Sequence, residues 1–223
     1  MPFLLVDAMK SYDEHCRDCP RLASFLDEVK RDHPTYFCKP VPPFGVKAPA
    51  LLIVGLAPGL HGANRTGRPF TGDYAGELLY QTLHKFGYAS QPTTVKADGA
   101  LDTKLKLKNA RISNAVKCLP PGNKPNPDEI RQCNHYLGAE ITALPVTTTM
   151  LALGGIAHDA ILMALGLKKS SAKFGHANKH DLPDGRVLFD SYHCSRYNTN
   201  TKRLTAATFE AVFTAVRAHI SQQ

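Results

Sequence analysis

Four short apolar runs occur along the chain, and a segment with helical character follows each of them. The runs are ALLIVGLAP, ARISNAVKC, TTTMLALGG and RVLFDSYH. Continuous apolar runs of this length are typical of strands buried on both faces of a parallel sheet. The intervening segments include GDYAGELLYQTLHKFG, IAHDAILMALG and a helix that begins near Pro127 and Asp128. This alternation predicts an α/β protein, a three-layer α/β/α fold around a central four-stranded parallel sheet.

Polar segments follow the predicted strands at the points where these end. They are GLAPGLHGANRTGRPFTGD, SNAVKC and HCSRYN. Ligands of open parallel sheets bind outside the carboxyl ends of the strands. We therefore expect these three segments to converge at one edge of the sheet and to form a site there.

The length of 223 residues favours one domain, residues 1–223, with an N-terminal segment of residues 1–45 that carries two of the candidate ligand cysteines. This segment ends in the Pro-rich connector KPVPPFGVKAPA, which cannot form a regular helix. No run of eighteen apolar residues is present, and the N-terminus has no basic segment of the kind that begins a secretion signal. A cytoplasmic protein is expected.

The charge balance favours a polyanionic partner. The chain has 27 basic and 19 acidic residues, a formal net charge of +8. Nucleic acid is the partner that such a charge fits, although many basic proteins bind none. We expect a monomer that binds DNA.

Six cysteines are present, and two pairs of them have spacings that suit a metal centre. Four thiolates can bind zinc or a 4Fe–4S cluster, and in a reducing compartment disulfides are not expected. The second pair is widely spaced, which favours the cluster over a zinc knuckle. Scattered buried thiols remain the alternative, and of the two left over Cys38 could replace a ligand, whereas Cys194 has no assignment. The candidate ligands are Cys16, Cys19, Cys118 and Cys133.

Two segments resemble the motifs of the uracil-DNA glycosylase superfamily. Residues 55–79 resemble its first motif and residues 191–205 its second, and SNAVKC with the four cysteines resembles its iron–sulfur branch. Leu56 and the insert HGANRTGR resemble the type b enzymes, also called family five, whereas type a enzymes carry an acid at the position of Leu56. The resemblance covers residues 16–215. It implies a 4Fe–4S cluster and hydrolysis of the N-glycosidic bond of a flipped base, uracil first and other deaminated bases with it.

The resemblance also implies roles in substrate binding. Phe70 would stack on the base, and His193 would lie near uracil O2, where negative charge develops as the base leaves. Asn114 offers an amide donor and acceptor that match the O4 and N3–H of uracil. Backbone amides near Ala57 and Gly59 would contact the base or a phosphate. The alternatives are a core phenylalanine, a loop-bracing asparagine and a packed histidine.

The water nucleophile needs a different group, because Leu56 cannot orient it. Asp73 is the one carboxylate in residues 55–76 and matches the acid proposed for type b enzymes. A helix N-cap is its alternative role, and both roles can hold together. If Asp73 only caps the helix, backbone groups of the Gly-rich loop or Asn64 would position the water.

Five further polar residues are candidates for contacts with the DNA backbone or with the gap left by the flipped base. Solvated surface side chains are the alternative for the arginines. His61, in the same insert, is left without a role. The candidates are Arg65, Arg68, Ser195, Arg196 and Asn198.

Two other functions compete with a glycosylase. The first is a non-catalytic DNA-lesion-binding protein that keeps the cluster and the base pocket, a possibility that the missing acid at Leu56 favours. The second is a small-nucleotide hydrolase or transferase whose cysteines hold a structural zinc. Base release from a uracil-containing oligonucleotide separates the first, and metal analysis separates the second.

Overall fold

The computed structural model describes residues 12–223. The first eleven residues lie outside the described residues. The expectation about a secretion signal concerns mostly these residues. Within the described part, the strands are β1 (Phe44–Gly45), β2 (Leu51–Gly55), β3 (Ala110–Asn114), β4 (Thr149–Leu153), β5 (Lys179–Asp181) and β6 (Val187–Ser191). The helices are α1 (Pro20–Asp32), α2 (Ala63–Thr66), α3 (Tyr74–Lys85), α4 (Pro127–Thr142), α5 (Gly155–Ala164), α6 (Arg196–Asn200) and α7 (Ala206–Ile220).

The sheet has six strands in the order β1-β3-β2-β4-β6-β5 and is mixed. The four inner strands, which are the four apolar runs, pair in parallel. The outer strands β1 and β5 pair antiparallel to their neighbours. The α/β class is therefore confirmed, but the count of four strands is wrong. Both missed strands are short, and their sequences FG and KHD carry no apolar run that would predict a strand.

Alternate residues of the inner strands pack on opposite faces of the sheet. Leu51 and Ile53 of β2 lie in one apolar cluster with residues of α3 and α7. Leu52 and Val54 lie in a second cluster with residues of α4 and α5. Two helical layers thus enclose the sheet, because strands buried on both faces need apolar partners on each side.

Helix α1 packs against the segment that follows β3 and against α4. It begins directly after Cys19 with proline at its first position, where the missing N–H breaks no helical hydrogen bond. Leu22 packs with Val116 and Tyr136, beside the four candidate ligand cysteines. The N-terminal segment is therefore attached to the sheet through the region of the cysteines.

None of the helices in the described part of the chain is long and apolar enough to cross a membrane.

Candidate active site and cysteine site

A cavity of about 590 Å³ opens at the carboxyl ends of the strands. Residues 56–63 form one wall, and Phe70, Asp73, Asn114 and His193 are among the residues that line the remainder. The structure thus brings together the residues that the sequence suggested for base binding and water placement. The volume lies within the range of about 300–1,000 Å³ that small-molecule pockets occupy.

Phe70 and Asn114 meet over Gly55, at the end of β2. Gly55 is paired with Asn114 across the parallel ladder. A Cβ atom at position 55 would lie 2.6 Å from Asn114 Oδ1 and 2.6 Å from the Phe70 ring. Phe70 itself has a φ of 52°, a conformation that a bulky residue rarely adopts. The absence of a side chain at Gly55 and the unusual backbone of Phe70 together allow the ring and the amide to share one small space.

The Asn114 amide has an unpaired acceptor inside the protein. The residue is 3% exposed, and its Oδ1 has no hydrogen-bond partner. A buried polar atom without a partner costs about 1–3 kcal/mol. Because Asn114 lines the cavity, a ligand with an N–H donor would satisfy this atom.

His193 lies on the same cavity, with its ring 5.8 Å from that of Phe70 between centroids. Its backbone carbonyl accepts a hydrogen bond of 2.8 Å from Asn198 Nδ2. Burial lowers the pKa of the imidazole to about 4, because the charged form loses its hydration. At neutral pH His193 is therefore uncharged and has one N–H to donate.

Asp73 performs two tasks with its two carboxylate oxygens. Its Oδ1 accepts a hydrogen bond of 3.0 Å from the N–H of Gly76 and caps α3. Its Oδ2 faces the glycine loop, since Cβ atoms at Gly59 and Gly62 would lie 3.3 and 2.1 Å from it. Burial raises the pKa of this carboxyl above its ordinary value. The helix cap leaves one oxygen directed at the loop that lines the cavity.

Asn64, the alternative water-positioning residue, lies outside the cavity lining. It is fully buried, and its Nδ2 donates to the Cys38 sulfur at 3.4 Å. The Cys38 thiol therefore contacts the insert, and it packs in a different apolar cluster from Cys16, Cys19 and Cys133.

Arg68, one of the predicted DNA contacts, is buried and hydrogen-bonded within the protein. The side chain is 6% exposed, and its guanidinium donates to the carbonyls of Thr94 and Asp102 at 2.5 and 2.7 Å. Arg68 therefore braces the loop before β3, and its guanidinium is already paired with carbonyls of that loop. Arg65 likewise donates to the carbonyls of His61 and Gly99, at 2.8 and 3.4 Å.

The segment after His193 has the most exposed of the predicted DNA contacts. Ser195 caps α6 by accepting from the N–H of Asn198, and Arg196 is exposed, with its guanidinium over the Tyr74 ring. Tyr197, which the sequence analysis did not single out, is 72% exposed. An aromatic residue among the polar residues of HCSRYN was the signal that could have identified it.

The four cysteines predicted as ligands line a single cavity beside Tyr136. Burial and the neighbouring Cys133 raise the pKa of Cys19 to about 11. Burial and the other thiols also raise the pKa of Cys118. A bound cation reverses this effect, because metal ligation deprotonates thiols. The backbone N–H of Lys117 already donates to the Cys133 sulfur at 3.3 Å.

A second group of side chains also has a geometry that could hold a metal ion. Among residues 12–223, the ligand atoms of His158, His180 and Asp190 all lie within 4.8 Å of one another.

That histidine–aspartate group is a hydrogen-bond network that the sequence analysis missed. His158 Nδ1 and His180 Nε2 lie 2.7 and 2.9 Å from the two oxygens of Asp190, and the N–H of Gly175 donates to the same carboxylate at 3.2 Å. His158 Nε2 lies 3.0 Å from the Ala172 carbonyl. Burial alone would lower the pKa of His158, but its bond to Asp190 raises it. The network fastens the loop before β5, and β5 itself, to β6, the strand that leads into the second motif.

Comparison with known proteins agrees with this geometry. The family model for the uracil DNA glycosylase superfamily matches residues 42–217. A type-5 uracil-DNA glycosylase of Thermus thermophilus is 45% identical over 87% of this chain and 89% of that protein. Type-5 uracil-DNA glycosylases of Mycobacterium bovis and Pyrobaculum aerophilum are 42% and 37% identical, each over 89% of this chain and over 75% and 86% of their own lengths.

Proposed function

Because the chain belongs to the uracil-DNA glycosylase superfamily, we propose that it hydrolyses the N-glycosidic bond of uracil in DNA and leaves an abasic site. The family predicted from the two motifs is confirmed. One observation carries the assignment of the substrate: an unpartnered Asn114 amide lies beside Phe70 in a cavity at the strand ends. We also propose that the protein works as a single domain and a monomer, in the cytoplasm with the chromosome.

Uracil enters the cavity after its nucleotide rotates out of the helix, since the bond is inaccessible within a base stack. Phe70 stacks on one face of the base. Asn114 accepts from N3–H through its free Oδ1 and donates to O4 through its Nδ2. The same contacts discriminate against cytosine, whose N3 and N4 have the opposite donor and acceptor pattern.

His193 stabilises the departing base. As the bond breaks, negative charge spreads over the uracil ring and onto O2. An uncharged imidazole donates a hydrogen bond to this oxygen, and the bond strengthens as the charge grows. Since the pKa of His193 is about 4, we assign it as a hydrogen-bond donor and not as a general acid at neutral pH.

Asp73 places the water. Its free Oδ2 is the carboxylate oxygen on this wall of the cavity, where the Leu56 side chain has no polar atom. A carboxylate there orients the attacking water and stabilises the positive charge that develops on the sugar. Arg196 and Tyr197, on the exposed side of the second motif, contact the strand that carries the flipped nucleotide, in single- or double-stranded DNA.

A panel of oligonucleotides tests the activity and the role of Asn114 together. We expect wild-type protein to release uracil from a strand with one deoxyuridine and to leave an alkali-labile abasic site. Asn114→Ala should lower the rate on uracil by about tenfold or more, because the base loses two hydrogen bonds in a desolvated pocket. A base that lacks the adjacent N–H donor and carbonyl acceptor should be affected less, because it does not make these two hydrogen bonds.

Tight binding of the uracil strand with no base release at any enzyme concentration would instead favour the lesion-binding protein. Equal losses on all bases would show that Asn114 supports the pocket and does not read uracil.

We propose that Cys16, Cys19, Cys118 and Cys133 hold a 4Fe–4S cluster. The residues fit such a group, because four thiols line one cavity and thiolates are the ligands that iron–sulfur clusters take. When bound, the cluster joins the N-terminal segment to the segment after β3 and stays outside the reaction. Cys118 follows Asn114 by four residues, so this attachment also holds the strand end that reads the base.

The purified protein should therefore absorb broadly near 400 nm and contain about four iron and four sulfide per chain. Cys118→Ser should lose iron and unfold at a lower temperature. Cys194→Ser should keep its iron, because Cys194 is buried in the apolar core between the sheet and α7, away from the four ligand cysteines. A colourless protein with one zinc per chain and full activity would refute the cluster.

The dependence of rate on pH follows from the two shifted groups. His193 has a pKa of about 4, so it stays uncharged at and above neutral pH and causes no change near pH 6.5. Asp73 has a raised pKa and must be ionised to work, so the single-turnover rate should fall as pH drops through that value. The limb that belongs to Asp73 should disappear in Asp73→Asn, whereas any fall near pH 4 that comes from His193 should remain. A limb centred near 6.5 that vanishes in His193→Ala would contradict the assignment of an uncharged imidazole.

A further inference from the structure

His61, for which the sequence suggested no role, lies at the mouth of the cavity. Its side chain is exposed, and the residue forms part of the cavity wall. Its Nδ1 lies 2.8 Å from the hydroxyl of Tyr36, a residue 25 positions earlier in the chain. Two segments remote in sequence therefore meet at the entrance through which a flipped base must pass.

A third ring completes this group. His33 stacks on Tyr36, with the ring centroids 4.4 Å apart and the planes inclined by 12°. His61 meets both rings edge-on, at 5.8 and 6.0 Å. We call His33, Tyr36 and His61 the rim cluster.

The backbone holds the rim cluster in place. The N–H groups of Phe37 and Cys38 donate to the carbonyls of Arg65 and Asn64, both at 3.1 Å. Lys30 donates through its ammonium to the Tyr36 carbonyl. The rings are thus positioned before any ligand arrives, which lowers the entropy cost of binding.

Two basic residues lie near the rim cluster. Lys30 and Arg31 occupy the last turn of α1; both side chains are exposed, and the exposed Asp32 separates them from His33. His61 is exposed, and His33 and Tyr36 are half-buried. Accessible aromatic rings next to positive charge are the combination with which proteins bind unpaired nucleotides, because bases stack on the rings and phosphates meet the cations. An exposed tyrosine–histidine hydrogen bond, by contrast, adds little to the stability of the fold.

We infer that the rim cluster is a binding subsite for an unpaired nucleotide that flanks the flipped base. This inference rests on the proposed function. The strand that delivers a base to the cavity must continue across its mouth, and His61 forms that mouth. The base of the flanking nucleotide stacks on the rings, while its phosphate meets the charge at the end of α1.

The test compares the affinity of the protein for DNA strands that extend to different sides of the flipped base. Three fluorescent single strands serve as probes, each with one 2′-fluorinated deoxyuridine, which resists hydrolysis. In the first, nucleotides flank the deoxyuridine on both sides; in the others, only on the 5′ side or only on the 3′ side. Dissociation constants are measured by anisotropy. Tyr36→Leu and His61→Ala should weaken binding of the strand with both flanks by about fivefold or more, as expected for loss of one stacked base. The loss should disappear on one of the two shortened strands, and that strand identifies the flank.

Three variants serve as controls. Tyr36→Phe keeps the ring and should retain affinity to within about twofold, if stacking carries the contact. Arg196→Ala should weaken binding to all three strands alike, because we place this side chain at a phosphate next to the flipped base, which every strand contains. His219→Ala, on α7, should change none of them. Melting temperatures establish that each variant is folded.

Equal losses on all three strands would overturn the inference, because the rings would then only support the pocket. Unchanged affinity on every strand would overturn it as well. Since these affinities require no turnover, a failure of the proposed catalysis would appear separately, as absence of uracil release by the wild-type protein.

Discussion

Replacing Asp73 with asparagine is expected to lower the single-turnover rate of uracil release by about tenfold or more, with little change in DNA affinity. The carboxylate oxygen that faces the glycine loop contacts the water and the developing sugar cation, and these interactions are made mainly in the transition state. Quenched-flow assays with enzyme in excess measure the rate, and anisotropy with an uncleavable strand measures the affinity.

The substitution is informative because asparagine preserves the other task of this residue. Asparagine caps helices about as well as aspartate, so the bond from the Gly76 N–H and the melting temperature should both survive. Asp73→Ala, which loses the cap as well, should lower stability by about 1 kcal/mol in addition. A near-normal rate for Asp73→Asn would mean that the residue only caps the helix and that backbone groups of the glycine loop position the water.

The inner sheet and the convergence of the motifs could be predicted, because both follow from strong local patterns. Strands buried on two faces require unbroken apolar runs, and parallel strands bring their carboxyl ends to one edge. Asn114 and His193 lie directly at or after such ends, which is why their meeting in one cavity was visible in the sequence.

The side-chain partners of individual polar residues could not be predicted in the same way. Arg68 lies in a motif rich in DNA-contacting residue types, yet its guanidinium is satisfied by carbonyls of a loop that follows about thirty residues later. Nothing local in the sequence marks these acceptors. For the same reason the two halves of the rim cluster, at Tyr36 and His61, could not be connected before the fold was known.

Asp190 is an intermediate case. A carboxylate in the apolar run RVLFDSYH needs hydrogen-bond donors once the strand is buried, so a polar partner was predictable from the sequence. The identity of that partner was not, because His158 and His180 come from an apolar helix and from an edge strand without a recognisable pattern.

Gly55→Ala is expected to abolish most of the activity through a single methyl group, with a fall in kcat/KM of about 100-fold. The new Cβ would lie 2.6 Å from both Asn114 Oδ1 and the Phe70 ring, so one or both must move by roughly an ångström. Displacements of that size separate the stacking surface from the amide that reads the base. Backbone strain does not contribute, because Gly55 lies within a regular strand without positive φ.

Gly138→Ala provides the matched control. Its added Cβ would meet the neighbouring helix at 3.6 Å, an ordinary contact, and alanine is favoured over glycine inside a helix. This variant should keep wild-type kinetics and melt at the same or a slightly higher temperature. Gly55→Ala, measured in the same assay, should remain folded and retain its iron while it loses uracil release. Wild-type activity in Gly55→Ala would show that Phe70 and Asn114 can separate without consequence. Other residues of the cavity would then have to bind the base.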